Sequence, residues 1–565
     1  MTRLPFVRAL ALLCGALVAC ATPSSTSSSG SSSGSSSSPS SSSSPSSSSS
    51  PASPAAPGWK LEWARGAVFY EVFVRSFADS NGDGVGDFNG LTSKLDYLKE
   101  LGVEALWLMP VFESPSYHGY DVVDYEKVDS EYGTQEDFDR LLREAHQRGI
   151  RIIVDFVLNH SSSQHPWFVE SASSPTSPKR DWYVWRQDNP GWTQPWGNGP
   201  VWHEKGGTYY YGIFWSGMPD LNYRNPEVRA EVKRLASLWL SRGVDGFRLD
   251  AARHMVEKGP GEAQNDTPET HAFWKEFSDH VRSVRPDALL VGEVWSESKN
   301  ILPYYGSTER VAGGDELPML FYFPVAEAIL DSLKAGDAAK LSAQLQEMST
   351  AFPRGVLTAP FLANHDQVRV ATRLEGQEAQ MRVAPAVLLT LPGTPFLYYG
   401  EEIGLANGPQ QGRDRDPPKR LPLPWDGTEK AGFSSGKPWA PFAEGWQKRN
   451  VAAQLGDTGS LLHRYRRLIQ LRRASPALRV GTLQPLPRSE AAAAVVAYLR
   501  EAEGERVLVV HNLGASSATV SHVLPGAPLE ALFVDPKVSA GAEASTQNSW
   551  QLVVPAYSSG VWRLR

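Results

Sequence analysis

Between residues 67 and 402, short apolar runs alternate with longer segments whose apolar residues recur at helical spacing. The runs are 67–77, 105–111, 151–159, 244–252, 288–295, 318–323, 357–366 and 394–402, rich in Val, Ile, Phe and Tyr. Runs of this kind predict strands. The segments 91–101 and 134–148 between them predict helices. Strand–helix alternation predicts a parallel sheet. Eight strands predict an α/β fold, a (β/α)8 TIM barrel. A doubly wound open sheet is the alternative, but no Gly-rich phosphate loop follows the first strand.

One connection, from 159 to 244, is too long for a plain loop and is full of Trp, Pro and Gly. It predicts a small inserted domain, 161–217, after the third strand. The barrel then comprises 59–160 and 218–475, closing with a helix over 459–473. Beyond Pro476 the apolar runs 495–499, 507–512, 529–534, 550–554 and 560–564 predict an all-β sandwich domain, 476–565.

The N-terminus follows a different pattern. Arg3 and Arg8 precede a short apolar run, Ala9 to Val18, too short to span a bilayer. Leu17-Val18-Ala19-Cys20 resembles a bacterial lipobox, which implies a signal peptide over 1–19 and a lipid anchor on Cys20. The expected location is that of an exported bacterial lipoprotein, anchored to a membrane at the periplasm or cell surface. Ordinary signal cleavage near Ala21 is the alternative. The Ser/Pro/Ala stretch of 20–58 cannot bury enough apolar surface to fold and reads as a tether. The only cysteines are Cys14 and Cys20, so the mature chain has no intrachain disulfide.

Composition narrows the function. The net charge is -7 and no long basic run occurs, which argues against a nucleic-acid partner. A monomer is expected. The 18 Trp among 565 residues are unusual: about two-thirds are expected to pack the core and the rest suit a sugar site, because aromatic faces stack on sugars.

Active sites of such barrels lie at the C-terminal ends of the strands. There the third strand ends Asp155-Phe156-Val157-Leu158-Asn159-His160, and the fourth runs from Gly246 through Arg248 and Asp250 to Arg253-His254. The fifth ends Gly292-Glu293-Val294-Trp295 and the seventh Asn364-His365-Asp366-Gln367. A single Asp at a strand end is usually a helix cap. Four such ends in barrel order are not explained by capping.

These four stretches resemble the four sequence signatures of the α-amylase family of glycoside hydrolases. His118-Gly119-Tyr120-Asp121, Met218-Pro219-Asp220-Leu221-Asn222 and Tyr399-Gly400-Glu401-Glu402 agree, in a branch between oligo-1,6-glucosidases and neopullulanases. The resemblance implies Asp250 as nucleophile, Glu293 as general acid and base, and Asp366 as the carboxylate that grips the sugar. It implies that His160 and His365 donate to sugar hydroxyls, that Tyr120 stacks on the ring, and that Asp121 holds Arg248 or its surroundings. Arg253 and His254 fall where α-amylases meet a glucose on the leaving-group side. Arg420 resembles a family arginine near the cleaved sugar. Independently, Arg248 shares a strand face with Asp250, and the apolar neighbours Val294 and Trp295 favour a protonated Glu293.

Asp79, Asn81, Asp83, Val85 and Asp87 place oxygens at alternate positions of a Gly-rich loop, matching the first nine residues of an EF-hand-type calcium loop. The twelfth position is Gly90, so the bidentate Glu is missing. The family carries calcium at this place, which implies a structural calcium here. A tight Asn/Asp/Gly turn is the alternative. Three function classes remain: an α-amylase cutting internal α-1,4 bonds of an α-glucan, an exo-acting α-glucosidase, oligo-1,6-glucosidase or transglycosylase, and a non-catalytic relative, which the presence of all three acids disfavours.

Overall fold

Strands that are buried on both faces read as near-continuous apolar runs, and the eight barrel strands do so apart from a few polar residues such as Glu71, Asp155 and Arg248. The computed structural model describes residues 58–410, 415–523, 529–541 and 549–564. The signal and lipobox readings, and the tether up to residue 57, lie outside them. The barrel strands are β1 (Phe69–Val72), β2 (Ala105–Leu108), β3 (Arg151–Phe156), β4 (Gly246–Leu249), β5 (Leu289–Gly292), β6 (Met319–Phe321), β7 (Leu357–Ala359) and β8 (Phe396–Tyr398). All pair in parallel with their chain neighbours, β8 pairs with β1, and a bridge between Phe361 and Phe396 closes the ring.

The strands are shorter than the apolar runs because each run continues into a loop that aims side chains over the barrel mouth. β7 stops at Ala359, before Pro360, which has no N–H for a ladder. The expected 91–101 helix is two helices, Phe88–Ser93 and Leu95–Leu101, broken at Lys94. The helix expected over 134–148 is α1 (Gln135–Gln147), started by a capping box between Thr134 and Asp137.

Alternate strand residues face in and out. Phe69, Trp107, Ile153, Leu289, Val291, Met319, Phe321 and Phe396 fill the barrel, while Tyr70, Leu106, Val154, Phe247 and Leu290 meet the helices. Leu61 and Ala64 cap the barrel floor. Trp59 Nε1 and Trp63 Nε1 tie that cap to the carbonyls of Gly314 and Asp287.

The 161–217 insertion has its own order. A helix, Pro166–Ser173, precedes a three-stranded antiparallel sheet of Trp185–Arg186, Thr208–Tyr211 and Trp202–Lys205, with Val201, Trp202, Tyr211 and Ile213 as a small core.

After α2 (Leu461–Ala474), a short helix Pro476–Val480 precedes the C-terminal strands. These are β9 (Thr482–Pro485), β10 (Val495–Ala502), β11 (Glu505–Asn512), β12 (Ala518–Val523), β13 (Leu529–Val534), β14 (Ser539–Gly541), β15 (Ser549–Val554) and β16 (Ser558–Leu564). They form sheets in the orders β9-β10-β11-β16-β13 and β12-β15-β14. Val495, Leu508, Val510, Leu552 and Trp562 lie in a core between the sheets. Tyr498, Val507, Val509 and Val561 face the other way and join the main core of the barrel. The β domain therefore shares its apolar interior with the barrel.

Candidate active site

The strand parity that packs the barrel also places charge in its top layer. Glu71, Trp107, Asp155 and Arg248 follow inward positions of β1 to β4, and Asp155 lies opposite Arg248 in register. Arg248 is fully buried. Its Nη1 donates to Asp155 at 2.9 and 3.0 Å and to Asp250 at 2.6 Å, and its Nη2 lies 2.8 Å from Glu293 Oε2. One guanidinium thus joins the two carboxyls expected to act on the bond. The guanidinium also sits over the Trp107 ring, 5.1 Å from its centroid.

Of the two roles expected for Asp121, holding Arg248 or its surroundings, a bond to Arg248 is not made. Asp121 accepts from Ser114 Oγ at 3.0 Å and from Ser116 Oγ. Asp155 has that role, because in-register neighbours on one barrel face can share an ion pair whereas Asp121 lies in the loop after β2.

A second cluster gathers Asp366. His365 Nε2 lies 3.1 Å from its Oδ2, Arg420 Nη2 donates to Oδ1 at 2.9 Å, and Lys419 Nζ donates to its backbone carbonyl at 2.7 Å. His365 Nδ1 meets Glu71 Oε1 at 2.6 Å. Tyr120 joins the clusters, with its hydroxyl 2.6 Å from His365 Nε2 and donating to Asp155 at 3.1 Å. Its ring stacks on His365.

Charge and burial set the protonation states. Burial lifts Glu293 to about 7; Arg248 opposes, while Asp250 and Asp366 add to the rise. The shift comes from burial and like charge; Val294 beside it is fully buried, while Trp295 is half-exposed and stacks on Phe323. Burial pushes Asp366 up, but His365, Arg420 and Arg248 outweigh it and hold it well below the carboxylate range. Burial pushes His365 down, but Asp366 and Glu71 lift it to about 9. Asp155 rises to about 6 through burial, restrained by Arg248.

The loop after β4 meets Glu293 closely. Ala251 is left-handed, with φ 49°, and its N–H donates to Glu293 Oε2 at 3.0 Å. His160 is buried, with Nδ1 3.0 Å from Asn159 Oδ1 and no partner at Nε2. Arg253 turns from the Asp366 cluster to Asp266 and the Trp295 carbonyl. His254 packs against Trp196, which is 52% exposed, and burial lowers its pKa to about 4.

The residues of the proposed calcium loop lie apart from these clusters. Asp79 accepts from the N–H groups of Asn81, Gly82 and Gly84 and from Ser434 Oγ. Asp87 accepts from Ser80 and Gly90. Asn81 and Asp83 bond each other, and the Val85 N–H reaches Asp83. Among the described residues, no group of three or more His, Cys, Asp or Glu is gathered to hold a metal.

Glu71, Asp155 and Lys419 are parts of the site that the sequence reading did not assign. Glu71 and Asp155 had a signal, since each is the lone carboxylate of a mostly apolar, buried strand. Lys419 had none, because only the folded 403–460 connection brings it to Asp366.

Residues 71–481 match the family model described as the alpha amylase catalytic domain. The chain belongs to the α-amylase family of glycoside hydrolases. Residues 495–561 of this α-amylase-family enzyme match the alpha-amylase SusG C-terminal domain. The enzyme is 42% identical over 465 residues to Alpha-amylase 3 of Dictyoglomus thermophilum, covering 81% of this chain and 86% of that protein. It is 38% identical over 507 residues to the trehalose synthase of a Pimelobacter species, covering 80% and 87%. The crystal structure of an alpha-amylase from H. orenii superposes with a TM-score of 0.77 at 36% identity, covering 88% of this chain and 99% of that one.

Proposed function

We propose that this enzyme cuts internal α-1,4 bonds of starch, glycogen and maltooligosaccharides with retention at the anomeric carbon. The observation that carries this is the placing of Arg253 on the Glu293 side of the cleft, with the exposed rings of Trp196 and Trp295 nearby. Groups that bind sugar beyond the cleavage point suit a long chain.

Retaining hydrolysis needs two carboxyls about 5–5.5 Å apart, and neighbouring nitrogens of Arg248 hold Asp250 and Glu293 close together. Asp250 attacks the anomeric carbon while the protonated Glu293 gives its proton to the departing oxygen. Glu293 then takes a proton from water, which displaces Asp250 and restores the α configuration. Asp366, ionised between His365 and Arg420, accepts hydroxyls of the distorted sugar, and the unpartnered His160 Nε2 faces the same task. Tyr120 forms the stacking floor.

The exo-acting or transglycosylating reading is supported by the 38% identity to a trehalose synthase and by 35% identity over 521 residues to the oligo-1,6-glucosidase of Parageobacillus thermoglucosidasius. A maltooligosaccharide blocked at its non-reducing end decides between them. Cleavage of it, with short maltooligosaccharides from starch, is expected. An intact blocked substrate with glucose as the only early product would establish the exo reading.

Calcium is part of the proposal. The oxygens of Asp79, Asn81, Asp83 and Asp87 and the carbonyl of Val85 form a hard donor set suited to it, in a loop turned by Gly82 (φ 86°) and Gly84 (φ 96°). Asp79 accepts four hydrogen bonds, from Asn81, Gly82, Gly84 and Ser434, and would be among the residues that hold the ion. The lipid anchor on Cys20 is proposed on its sequence alone.

A further inference from the structure

We propose that Asp266 is a positioning residue that fixes Arg253 on the leaving-group side of the cleft and so governs how well the enzyme uses chains extending past the cut. This rests on the reading of Glu293 as proton donor, since the donor marks the side on which the leaving oxygen lies.

Arg253 follows Asp250 by one short turn, Ala252–His254. Its Nη1 donates to the Trp295 carbonyl at 3.2 Å, two residues beyond Glu293. Asp266 clamps the same guanidinium in bidentate fashion, Nε to Oδ1 at 3.2 Å and Nη2 to Oδ2 at 2.5 Å. The Asp266 N–H donates to the Arg253 carbonyl at 2.9 Å, and the Tyr304 hydroxyl donates to Asp266 Oδ1 at 2.8 Å. Asp266 is locked to Arg253 through both backbone and side chain.

Asp266 adopts φ 52°, a left-handed conformation unusual for a residue other than glycine. Such a conformation persists where the surroundings over-determine it and is concentrated at functional sites. Asp266 immediately precedes Thr267, the N-cap of the Pro268–Val284 helix, so a rigid element supports the clamp.

The hydrogen-bond arithmetic points to sugar. A guanidinium has five N–H donors. Asp266 and Trp295 take three, leaving one on each Nη. A free arginine side chain loses much rotamer freedom when it grips a ligand, whereas a clamped one is already placed. The hydroxyls of a glucose unit beyond the cleavage point are ligands for the two remaining donors.

The test compares kcat/KM for two substrates, a maltooligosaccharide spanning both sides of the cut and an aryl α-maltoside whose leaving group is a nitrophenol. In Asp266→Ala the ratio of the oligosaccharide value to the aryl value should fall about tenfold, mostly through KM. Asp266→Glu should recover part of it. Arg253→Ala combined with Asp266→Ala should be no worse in that ratio than Arg253→Ala alone. Equal losses on both substrates, or full additivity of the two changes, would overturn the proposal. Should Asp266→Ala not fold, Asp266→Asn gives the same comparison. A wild-type enzyme that leaves the blocked oligosaccharide intact defeats the endo reading alone. The clamp is then judged by the same ratio with the disaccharide that the enzyme does cleave.

Discussion

A single buried arginine organises the chemistry. Arg248 can be fully buried because Asp155, Asp250 and Glu293 surround it, and a buried charge without partners would be very costly. Asp250→Asn and Glu293→Gln should each lower turnover by several orders of magnitude while the fold persists, as a reducing-sugar assay and circular dichroism would record. Glu293 acts in its protonated form, and its pKa is lifted to about 7. Turnover should therefore fall as pH rises through about 7, by roughly tenfold per unit above it. A rate that stays flat to pH 9 would refute Glu293 as the acid. His365, lifted to about 9, contributes to stability with a definite sign. Its ion pairs stabilise the fold fully below the ordinary histidine value of about 6.5 and are lost as pH rises through 9.

At the scale of elements, the loop after β1 and the connection after β8 depend on each other. The 403–460 connection, in which the sequence singled out only Arg420, packs across the first loop. Trp425 Nε1 donates to the Phe77 carbonyl at 2.7 Å, Trp439 Nε1 to Ser76 at 3.1 Å, and the Asp79 N–H to the Phe433 carbonyl at 2.8 Å. The same connection brings Lys419 and Arg420 to Asp366. Gly90, at the position where an EF-hand carries Glu, is explained by packing: a Cβ there would lie 2.0 Å from the Ala78 carbonyl oxygen. A cation bound only by the folded loop should stabilise the protein by about 2.7 kcal/mol at a hundredfold excess over its Kd. Chelator should lower the melting temperature of wild type, and Asp83→Ala should remove that response. Melting indifferent to chelator in a calcium-replete sample would leave the loop as a self-satisfied turn.

At the scale of the whole molecule, the first described residues and the active site lie at opposite ends of the barrel. Trp59 and Trp63 bind carbonyls of segments that precede β6 and β5, while Asp250, Glu293 and Asp366 follow β4, β5 and β7. Expressed in a bacterium, the full chain should sediment with membranes, and Cys20→Ala should release it or stall its processing. A soluble wild-type product whose mature N-terminus carries no acyl group would contradict the anchor.

The local sequence was sufficient to predict the barrel and the C-terminal β domain, and the family resemblance singled out Asp250, Glu293 and Asp366, whose strand ends the fold brings to one mouth. Strand and helix periods are written in neighbouring positions, and barrel order alone sends strand ends to one mouth. It was not sufficient for the roles of Glu71 and Asp155, for the partner of Asp121, for Lys419 or for the Asp266 clamp. Each of these depends on which residues from distant strands and loops come into contact. The pKa values of Glu293 and His365 belong to that second group as well. A carboxyl and an imidazole take their charge from burial and from neighbours, and those neighbours are 43 residues away for Asp250 beside Glu293 and 294 for Glu71 beside His365.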